Sequence, residues 1–420
     1  MIAGRQSDQD RVVITGMGAV TPAGLTVAEL WDTVAAGRSG IGPITQWDAS
    51  DWPVRIAGEI KGFDPTKFIP RREARRLARC TQIAMAAAHE AMAQSGLPQP
   101  FDDPERVGVL IGSTLGGFER VVEAIDKFGT TGLSRVSPFA ITSGIPNMPT
   151  HHVSYTFQAL GYTNTISTAC ATGTQSIGEA VEVIRRGAAD VMFAGGVEAV
   201  INYIPFAGFI AVRALSTRNH EPERASRPFD AERDGFVISE GVGLTVLERL
   251  SHAKARGARV LGEVMGYASS TDAFHEIAPD PEGEGPSRAI RWALKDAGVK
   301  AEEIDYINCH AAATPLGDAA ETKAIKRVFG ERAYDIPISS TKSMIGHCFA
   351  GAGAIESIAT LMALREGIIP PTINYETPDP ECDLDCVPNE ARKADIRIAL
   401  KNSFGMGGQN ACLVLGRYDE

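Results

Sequence analysis

Residues 166–187 have the sequence ISTACATGTQSIGEAVEVIRRG, which carries the strongest structural signal in the chain. The β-branched start predicts a short strand over 164–169, and a helix then runs to about Arg186, with Gly187 as its C-terminal cap. Small residues surround Cys170 at the junction, so the backbone can turn sharply there and a ligand can approach. A strand that passes directly into an apolar helix indicates an α/β fold.

Cys170 lies at this predicted strand-to-helix junction. Unpaired backbone N–H groups and the positive end of the helix dipole would face its thiol, which predicts a lowered pKa and a reactive thiolate. A buried, inert cysteine that packs like a small apolar residue is the alternative interpretation.

The order of strand, small-residue turn and helix recurs on both sides of Cys170. A long helix is predicted over 71–95, and a polar stretch over 216–236 is expected to form a surface loop. Alternating helices and strands predict stacked α/β layers. Similar patterns in 1–255 and 256–420 suggest a duplication into two halves.

Two histidines accompany predicted strands of the second half. His310 ends the segment IDYINCH and His347 follows SSTKSMIG, and each precedes a small-residue turn. Ligands collect at the carboxyl ends of strands in α/β sheets, so we expect both imidazoles to meet the Cys170 thiol in one site. An ordinary place in the core or on the surface explains the histidines His89, His220 and His252 better than a role in the site.

The charge of the chain is unevenly distributed. The 420 residues include 41 Lys and Arg against 52 Asp and Glu, a net charge of −11, which argues against nucleic-acid binding. Residues 61–80 nevertheless hold seven basic and two acidic side chains. The simplest explanation is a solvated helix face, but an exposed basic surface would also attract an acidic partner.

Several features exclude other classes of protein. No apolar run approaches the ~18 residues of a membrane span, and the start, MIAGRQSDQD, lacks the apolar core of a signal peptide. Seven scattered cysteines favour a reduced, cytoplasmic setting.

CDLDC at 382–386 lacks a second Cys/His pair at zinc spacing, so no metal site is expected. GMGG at 405–408 lacks the Lys-Ser/Thr of a phosphate loop and is interpreted as backbone that approaches a reacting group.

Seven motifs resemble, in order, those of the β-ketoacyl-acyl carrier protein synthases, particularly the type II elongating enzymes with a Cys-His-His site. The motifs are TACATG, RALSTRN, RPFDAERDGF, NCHAAATPLGD, STKSMIGH, PPTINYETPDPECDLD and NSFGMGG. The resemblance covers nearly the whole chain. It implies a thiolase-like αβαβα five-layer sandwich of two pseudo-duplicated halves. The implied reaction is decarboxylative Claisen condensation of a Cys-bound acyl chain with malonyl-acyl carrier protein, in fatty-acid or polyketide elongation.

The resemblance also implies roles for individual residues. Cys170 matches the nucleophile that carries the acyl chain as a thioester, and His310 and His347 match the pair that drives decarboxylation and holds the enolate. The further implied roles are electrostatic support from Lys342, a buried acid at Glu356, an oxyanion hole from the backbone N–H groups of Cys170 and Met406, an acyl gate at Met406 and Phe404, and a pantetheine contact at Thr314. No metal and no cofactor is implied beyond the phosphopantetheine of the carrier.

The implied partners are an acyl carrier protein and a second ketosynthase-fold subunit. Carrier proteins are acidic, and the resemblance places their docking on the basic region, with Arg71, Arg72, Arg75 and Arg76 as candidates. The family is usually dimeric. A homodimer and a heterodimer with a related subunit, such as a chain-length factor, both stay open.

Three positions depart from the family pattern. Ala312 lacks a hydroxyl that would contact the pantetheine arm, a loss of roughly 0.5–1.5 kcal/mol of binding. Met406 stands where a gating Phe is common, and its flexible side chain suits a different acyl chain. Ser239 stands where Gly is usual. Together these departures suggest a specialised synthase for polyketides or unusual fatty acids.

Three other functions fit the sequence less well. A non-elongating partner such as a chain-length factor typically lacks the active Cys, which this chain retains. A thiolase uses a different cysteine of the second half, whereas Cys412 lies in a strand-like apolar run. A carrier-binding scaffold without chemistry would form no acyl adduct on Cys170.

Overall fold

The computed structural model describes residues 10–419. The N-terminal segment in which no signal peptide is expected lies outside that range, apart from Asp10.

The strands of the protein are β1 (Val12–Val20), β2 (Gly42–Pro43), β3 (Ile56–Ala57), β4 (Val107–Gly112), β5 (Thr163–Asn164), β6 (Val191–Glu198), β7 (Gly241–Arg249), β8 (Gly262–Thr271), β9 (Tyr306–Asn308), β10 (Ile338–Ser339), β11 (Ile368–Ile369), β12 (Arg392–Lys393), β13 (Ile398–Gly405) and β14 (Gln409–Gly416). Its α-helices are α1 (Val27–Ala35), α2 (Arg71–Ala74), α3 (Arg79–Ser95), α4 (Phe118–Thr131), α5 (Ala140–Gly144), α6 (Met148–Phe157), α7 (Thr172–Arg185), α8 (Tyr203–Ala211), α9 (Leu250–Ala255), α10 (Glu284–Ala297), α11 (Pro315–Phe329), α12 (Lys342–Ile345) and α13 (Ala352–Glu366).

The main sheet records a duplication. Its strand order is β10-β9-β13-β14-β8-β1-β7-β6-β4-β5, and the halves meet where β1 pairs antiparallel with β8. Outward from that junction, each half presents its own first, fifth, fourth, second and third strand. In both halves the first and fifth strands are antiparallel, and the fourth and second are parallel. The predicted pair of similar halves is therefore confirmed by the topology.

Helices α7 and α13 form the middle of five layers. They pack against each other, and both contact strands of each half of the sheet. Helix α3 covers β1 and β7 on one outer side, and α10 covers β8 and β14 on the other. Because α13 is enclosed on all sides, nearly all of its residues are buried, including the charged Glu356. The predicted αβαβα sandwich is confirmed.

The long helix predicted over 71–95 is two helices. α2 ends at Ala74, and α3 begins at Arg79 and ends before Gly96, whose left-handed conformation caps it. The break is stabilised at Arg79, whose backbone N–H donates to Glu119 (2.8 Å) and whose guanidinium binds the buried Glu240. These partners are distant in sequence, so the local helical pattern did not reveal the break.

The strand predicted over 164–169 is also shorter than expected. Only Thr163 and Asn164 pair with β4. The chain then turns away, because the Thr168 N–H donates to the Thr172 hydroxyl (2.8 Å) and Ala169 adopts a left-handed φ of 49°. The segment before Cys170 is therefore a tight turn.

The polar segment 216–236 is only partly the surface loop that its composition predicts, because residues 225–230 are buried while residues such as Glu223 and Arg224 are exposed. Arg227 binds the fully buried Asp230 (3.0 Å), whose carboxylate also accepts two backbone N–H groups near Thr377. Arg233 donates to the carbonyl oxygens of Thr314 (3.3 Å) and Pro315 (2.8 Å), at the start of α11. The charges of Arg227, Asp230 and Arg233 are satisfied inside the protein, which the polar composition alone concealed.

Candidate active site

Cys170 lies just before the first turn of the central helix α7. The left-handed Ala169 reverses the chain, and the Ala171 N–H donates to the Thr168 carbonyl (3.1 Å). A left-handed non-glycine residue costs of order 1–3 kcal/mol and persists only where its surroundings enforce it. The turn exposes 8% of Cys170, at the wall of a cavity.

The end of β13 approaches Cys170 closely. A Cβ on Gly405 would lie 2.8 Å from the Thr168 carbonyl oxygen and 3.0 Å from the Cys170 nitrogen, so only glycine fits there. Because of this contact, the backbone N–H of the next residue, Met406, is directed at the Cys170 sulfur. The GMGG segment is thus backbone that approaches the candidate nucleophile, as its sequence suggested.

The prediction of a ready-made thiolate at Cys170 is wrong for the unliganded protein. Burial raises the pKa of the thiol to about 11. The Lys342 ammonium and the N–H groups of Met406 and Cys170 act in the opposite direction, but burial has the larger effect. The helix terminus supplies the expected donors, yet the surroundings penalise the charged form more strongly.

His310 is positioned by a carboxylate that the sequence analysis did not single out. Glu321 on α11 is buried and accepts the backbone N–H groups of His310 (2.9 Å) and Ala311 (2.7 Å). The Asn402 amide on β13 also donates to Glu321 (3.1 Å). The chain after β9 is therefore fixed from two neighbouring elements. The signal in the sequence was a Glu eleven residues after His310, on the inner face of a helix.

His347 is held by its backbone and by its ring. Its N–H donates to the Val237 carbonyl (2.8 Å), and its Nδ1 accepts the Phe349 N–H (3.2 Å). Because Nδ1 accepts, the neutral ring carries its proton on Nε2. The ring also stacks on Phe349 at 5.1 Å and meets Phe236 edge-on at 5.4 Å.

The two imidazoles lie side by side. Their ring centroids are 5.4 Å apart at 77°, and both rings line the cavity that Cys170 reaches. Burial, aided by the Lys342 ammonium, lowers the pKa of both His310 and His347 well below the usual value. Both rings are therefore neutral near pH 7 and can donate a hydrogen bond without carrying charge.

A buried cluster of charges lies behind the histidines. Lys342 Nζ is 2.5 Å from Glu356 Oε1, and both side chains are almost completely buried. A second lysine, Lys401, binds the other oxygen of the same carboxylate at 2.8 Å. The sequence analysis missed Lys401, although a charged residue inside the apolar strand IALKNSFG was a visible signal.

The cavity contains about 120 Å³ and joins most of the predicted site residues. Cys170, His310, His347, Thr314, Phe404 and Met406 line it, together with Ala312. Lys342 and Glu356 lie behind its wall. Ser239 does not line it, since its hydroxyl donates to the Gly58 carbonyl (3.1 Å) in the core. Of the three departures, only Ala312 and Met406 can therefore touch a ligand.

The candidate docking arginines lie outside this cavity. All four side chains are exposed, and Arg76 packs its guanidinium over the Phe139 ring at 4.7 Å. Arg75 and Arg76 line a separate groove with Arg120 and Lys127 of α4. The basic segment is thus exposed at the protein surface, as both a solvated helix face and a docking surface for an acidic partner require.

Residues 10–419 contain neither a cluster of metal-ligating side chains nor a membrane-spanning helix. No group of three or more His, Cys, Asp or Glu side chains in this range is arranged to hold a metal ion. No helix in the range is long and apolar enough to cross a membrane. Cys382 and Cys386 are unpaired and buried in the apolar core of the second half.

Comparison with known protein families agrees with this geometry. Residues 9–253 match the N-terminal domain of β-ketoacyl synthases, and residues 261–376 match the C-terminal domain. The chain belongs to the β-ketoacyl synthase family. As a member, it is an acyltransferase that condenses acyl units in fatty-acid or polyketide elongation.

Relatives named 3-oxoacyl-[acyl-carrier-protein] synthase 2 align over almost the whole chain. The Synechocystis protein is 47% identical over 411 residues, covering 98% of this chain and 99% of the relative. The Coxiella burnetii protein is 46% identical over 410 residues, covering 98% and 99%. The Staphylococcus aureus protein is 47% identical over 413 residues, covering 98% and 100%.

Solved ketosynthases share the fold. The ishigamide ketosynthase/chain length factor gives a TM-score of 0.91 at 36% identity, covering 97% of this chain and 99% of that one. A ketosynthase in complex with its type II polyketide acyl-carrier protein gives 0.89 at 36% identity, with the same coverage. A β-ketoacyl synthase from Burkholderia phymatum gives 0.90 at 36%, covering 97% and 100%.

Proposed function

We propose that this β-ketoacyl synthase joins an acyl chain on Cys170 to malonyl-acyl carrier protein by decarboxylative condensation. The observation that carries the proposal is the convergence of one thiol and two neutral imidazoles on a single cavity. A condensing enzyme needs a sulfur that both attacks and leaves well, and donors for a developing oxyanion.

The first half-reaction loads the enzyme. The Cys170 sulfur attacks the acyl thioester carbonyl, the bond to the carrier sulfur breaks, and the Cys170 proton leaves with the carrier thiol. The N–H groups of Cys170 and Met406 point at the sulfur and are placed to bind the oxyanion of the intermediate. Deprotonation coupled to attack is required, because the free thiol has a pKa of about 11.

The second half-reaction forms the carbon–carbon bond. The malonyl carboxylate leaves as CO₂, and its bonding electrons move to the thioester oxygen as an enolate. His310 and His347 donate Nε2–H to that oxygen, supported by the Lys342–Glu356 pair. The enolate carbon then attacks the acyl carbonyl on Cys170, and the bond to the Cys170 sulfur breaks, giving β-ketoacyl-acyl carrier protein. The leaving thiolate takes up a proton from solvent, which restores the Cys170 thiol.

The walls of the cavity select the acyl chain. Phe404 lies 5.9 Å from His310 between ring centroids, and Met406 adjoins it at the site where we place the gate. We assign Thr314, which lines the cavity, to the pantetheine arm, and Ala312 lines the same cavity without a hydroxyl. We infer a specialised acyl preference, in polyketide or unusual fatty-acid assembly. Products formed from carrier-bound acyl chains of several lengths and degrees of unsaturation test it. A profile restricted to ordinary saturated chains contradicts it.

The acyl carrier protein is proposed to dock on Arg71, Arg72, Arg75 and Arg76. All four are exposed, in a chain of net charge −11. An acidic carrier would be steered there by long-range attraction that salt screens. Arg72→Glu and Arg76→Glu should raise KM for the carrier, most strongly at low salt, while kcat is kept. Arg397→Glu, an exposed arginine of the second half, is the matched control, and equal effects from all three refute the assignment.

We also propose that the catalytic unit is a dimer of two copies of this chain. Strand β5 ends the sheet with both residues exposed, so its free edge can pair with another strand. The same half of the chain also exposes large apolar side chains: Ile125, Phe128, Leu133, Ile141, Tyr155 and Leu160. The double variant Leu133→Asp/Leu160→Asp should be monomeric in light scattering. The control variant Leu316→Asp should stay dimeric. A chain that is monomeric alone but pairs with a related subunit indicates the heterodimer instead.

Three further expectations complete the proposal. The repeated strand order supports a division into halves 1–255 and 256–420. Seven unpaired, buried cysteines support a reduced, cytoplasmic setting. No cofactor is expected beyond the phosphopantetheine of the carrier.

Mass spectrometry after incubation with acyl-carrier protein distinguishes an enzyme from a carrier-binding scaffold without chemistry, since only the enzyme gains an acyl group on Cys170.

A further inference from the structure

Lys401 is a buried ammonium to which the reaction described above gives no role. It lies in β13 between Leu400 and Asn402, and its side chain is completely buried. Its Nζ contacts Glu356 Oε2 (2.8 Å) and the Ser403 hydroxyl (3.2 Å), and it donates to the Asn402 carbonyl. A buried lysine is costly, so its interactions must compensate the lost hydration.

The contacts of Lys401 reach every element that carries a reacting group. Glu356 links it to Lys342, which precedes the His347 turn. Ser403 shares a hydrogen bond of 2.8 Å with Thr174, one turn along the helix that follows Cys170. The backbone of Asn402 accepts from Lys401, while its side chain donates to Glu321, which holds the His310 backbone.

The formal charges of this cluster balance. Lys342 and Lys401 carry two positive charges, and Glu356 and Glu321 carry two negative charges, all of them buried. Glu356 alone cannot neutralise both lysines. Loss of Lys401 would leave one uncompensated negative charge in the interior, and a proton taken up nearby would restore neutrality. The other titratable groups that interact with the charges of the cluster are His310, His347, Cys170, Cys309, Cys348, Cys412, Tyr306 and Asp318, and burial raises the pKa of Asp318 to about 7.

We propose that Lys401 is a positioning residue for condensation, which balances the buried charge behind His310 and His347 and thereby keeps both imidazoles neutral. A neutral imidazole is the form that donates Nε2–H to the enolate and returns unchanged. An imidazolium would instead hold the malonyl carboxylate by its charge and oppose decarboxylation.

The electrostatics of the histidines agree with this placement. Burial is the main cause that lowers the pKa of His310 and of His347, and Lys342 is the next. Lys401 acts in the same direction on both rings. Burial also lowers the pKa of Lys401 itself, whereas the Glu356 carboxylate opposes that shift and favours the ammonium.

The test compares Lys401→Met, Lys401→Arg and the control Lys323→Met in the full-length enzyme. Lys323 is an exposed lysine on α11 paired with Glu282. The measured quantity is kcat for decarboxylation of malonyl-acyl carrier protein between pH 5.5 and 9. In Lys401→Met we expect the acidic limb to move up by about one pH unit or more, so that kcat falls earliest on the acidic side and recovers at higher pH. Lys401→Arg and Lys323→Met should keep the wild-type profile.

The sign of the effect provides a second check. Glu356→Gln removes a negative charge, so the acidic limb should move down in pH, and Lys401→Met with Glu356→Gln should return towards wild type. Equal loss of kcat at every pH in Lys401→Met, with no movement of the limb, overturns the proposal and leaves a structural role. Should Lys401→Met fail to fold, the Glu356→Gln profile decides by its direction.

The inference rests on the proposed function but can be judged separately. Titration of ¹³C-labelled histidine by NMR in the ligand-free protein reports the His310 and His347 pKa without any substrate. Raised histidine pKa values in Lys401→Met support the charge balance even in a protein that does not condense. Unchanged values refute it even in an active enzyme.

Discussion

Cys170 should react as a thiol, and its alkylation rate should follow the scarce thiolate. A pKa of about 11 leaves roughly one thiolate in ten thousand at pH 7. Iodoacetamide inactivation should therefore accelerate about tenfold per pH unit from pH 6.5 to 9.5, without a plateau. The physical reason is burial, which outweighs the Lys342 ammonium and the N–H groups directed at the sulfur.

Two variants locate the cause. Lys342→Met removes the largest effect that lowers the pKa of Cys170, so its rates should be lower at every pH on a parallel line. Lys323→Met should match the wild type. Mass spectrometry should place the label on Cys170, which lines the cavity and is 8% exposed, whereas the other six cysteines are at most 2% exposed, and Cys170→Ala should stay unlabelled there. A rate that is constant between pH 6.5 and 8 would show a preformed thiolate or a thiolate–imidazolium pair and refute the reasoning.

Three further predictions concern the half-reactions and their supports. His310→Ala and His347→Ala should still accept an acyl group on Cys170 but lose most decarboxylation of malonyl-acyl carrier protein; wild-type condensation in both variants contradicts the assigned roles. Cys170→Gln should block loading yet keep malonyl decarboxylation, measured as CO₂ release, and a loss of both activities argues against separate sites for the two steps. Glu321→Gln should lower the free energy of unfolding by about 1–3 kcal/mol in urea titration, because two buried N–H groups lose a charged acceptor; an unchanged midpoint contradicts it.

Met406→Phe tests the gate on its own. A rigid ring in place of a flexible thioether should narrow the range of acyl chains that the enzyme accepts. The measurement is kcat/KM for loading from carriers with short and long acyl chains. Met362→Phe is not a suitable control, because Met362 lies on the buried helix α13 and the substitution would disturb the core. Leu316→Phe, at an exposed position on α11, serves instead. An unchanged ratio of long-chain to short-chain loading shows that Met406 does not gate.

Cys170, His310 and His347 could be predicted from sequence as candidate site residues because each one occupies a local motif. Cys170 is surrounded by small residues before an apolar helix, and His310 and His347 each precede a small-residue turn. Their meeting then follows from the fold, since the duplicated sheet brings the ends of these elements to one cavity. Local pattern and global topology point to the same answer here.

Protonation was decided by the tertiary structure. The helix N-terminus predicts a low pKa for Cys170, but the pKa depends on how completely the surroundings exclude water. That exclusion comes from β13 and from residues around His347, which lie more than a hundred positions away. The break between α2 and α3 has the same origin, since it depends on Glu119 and Glu240.

The amino-acid order alone predicted the α/β class and the duplication, because the alternation of strands and helices is visible within short stretches. Local motifs and the family resemblance predicted Cys170, His310 and His347 as the reacting groups. Only the folded chain decided which charges are buried together. Lys342, Lys401, Glu321 and Glu356 come from four separate elements, and the free energy of each charge depends on its distance to the others and to water. Such distances are properties of the packed interior, and no single stretch of sequence contains them.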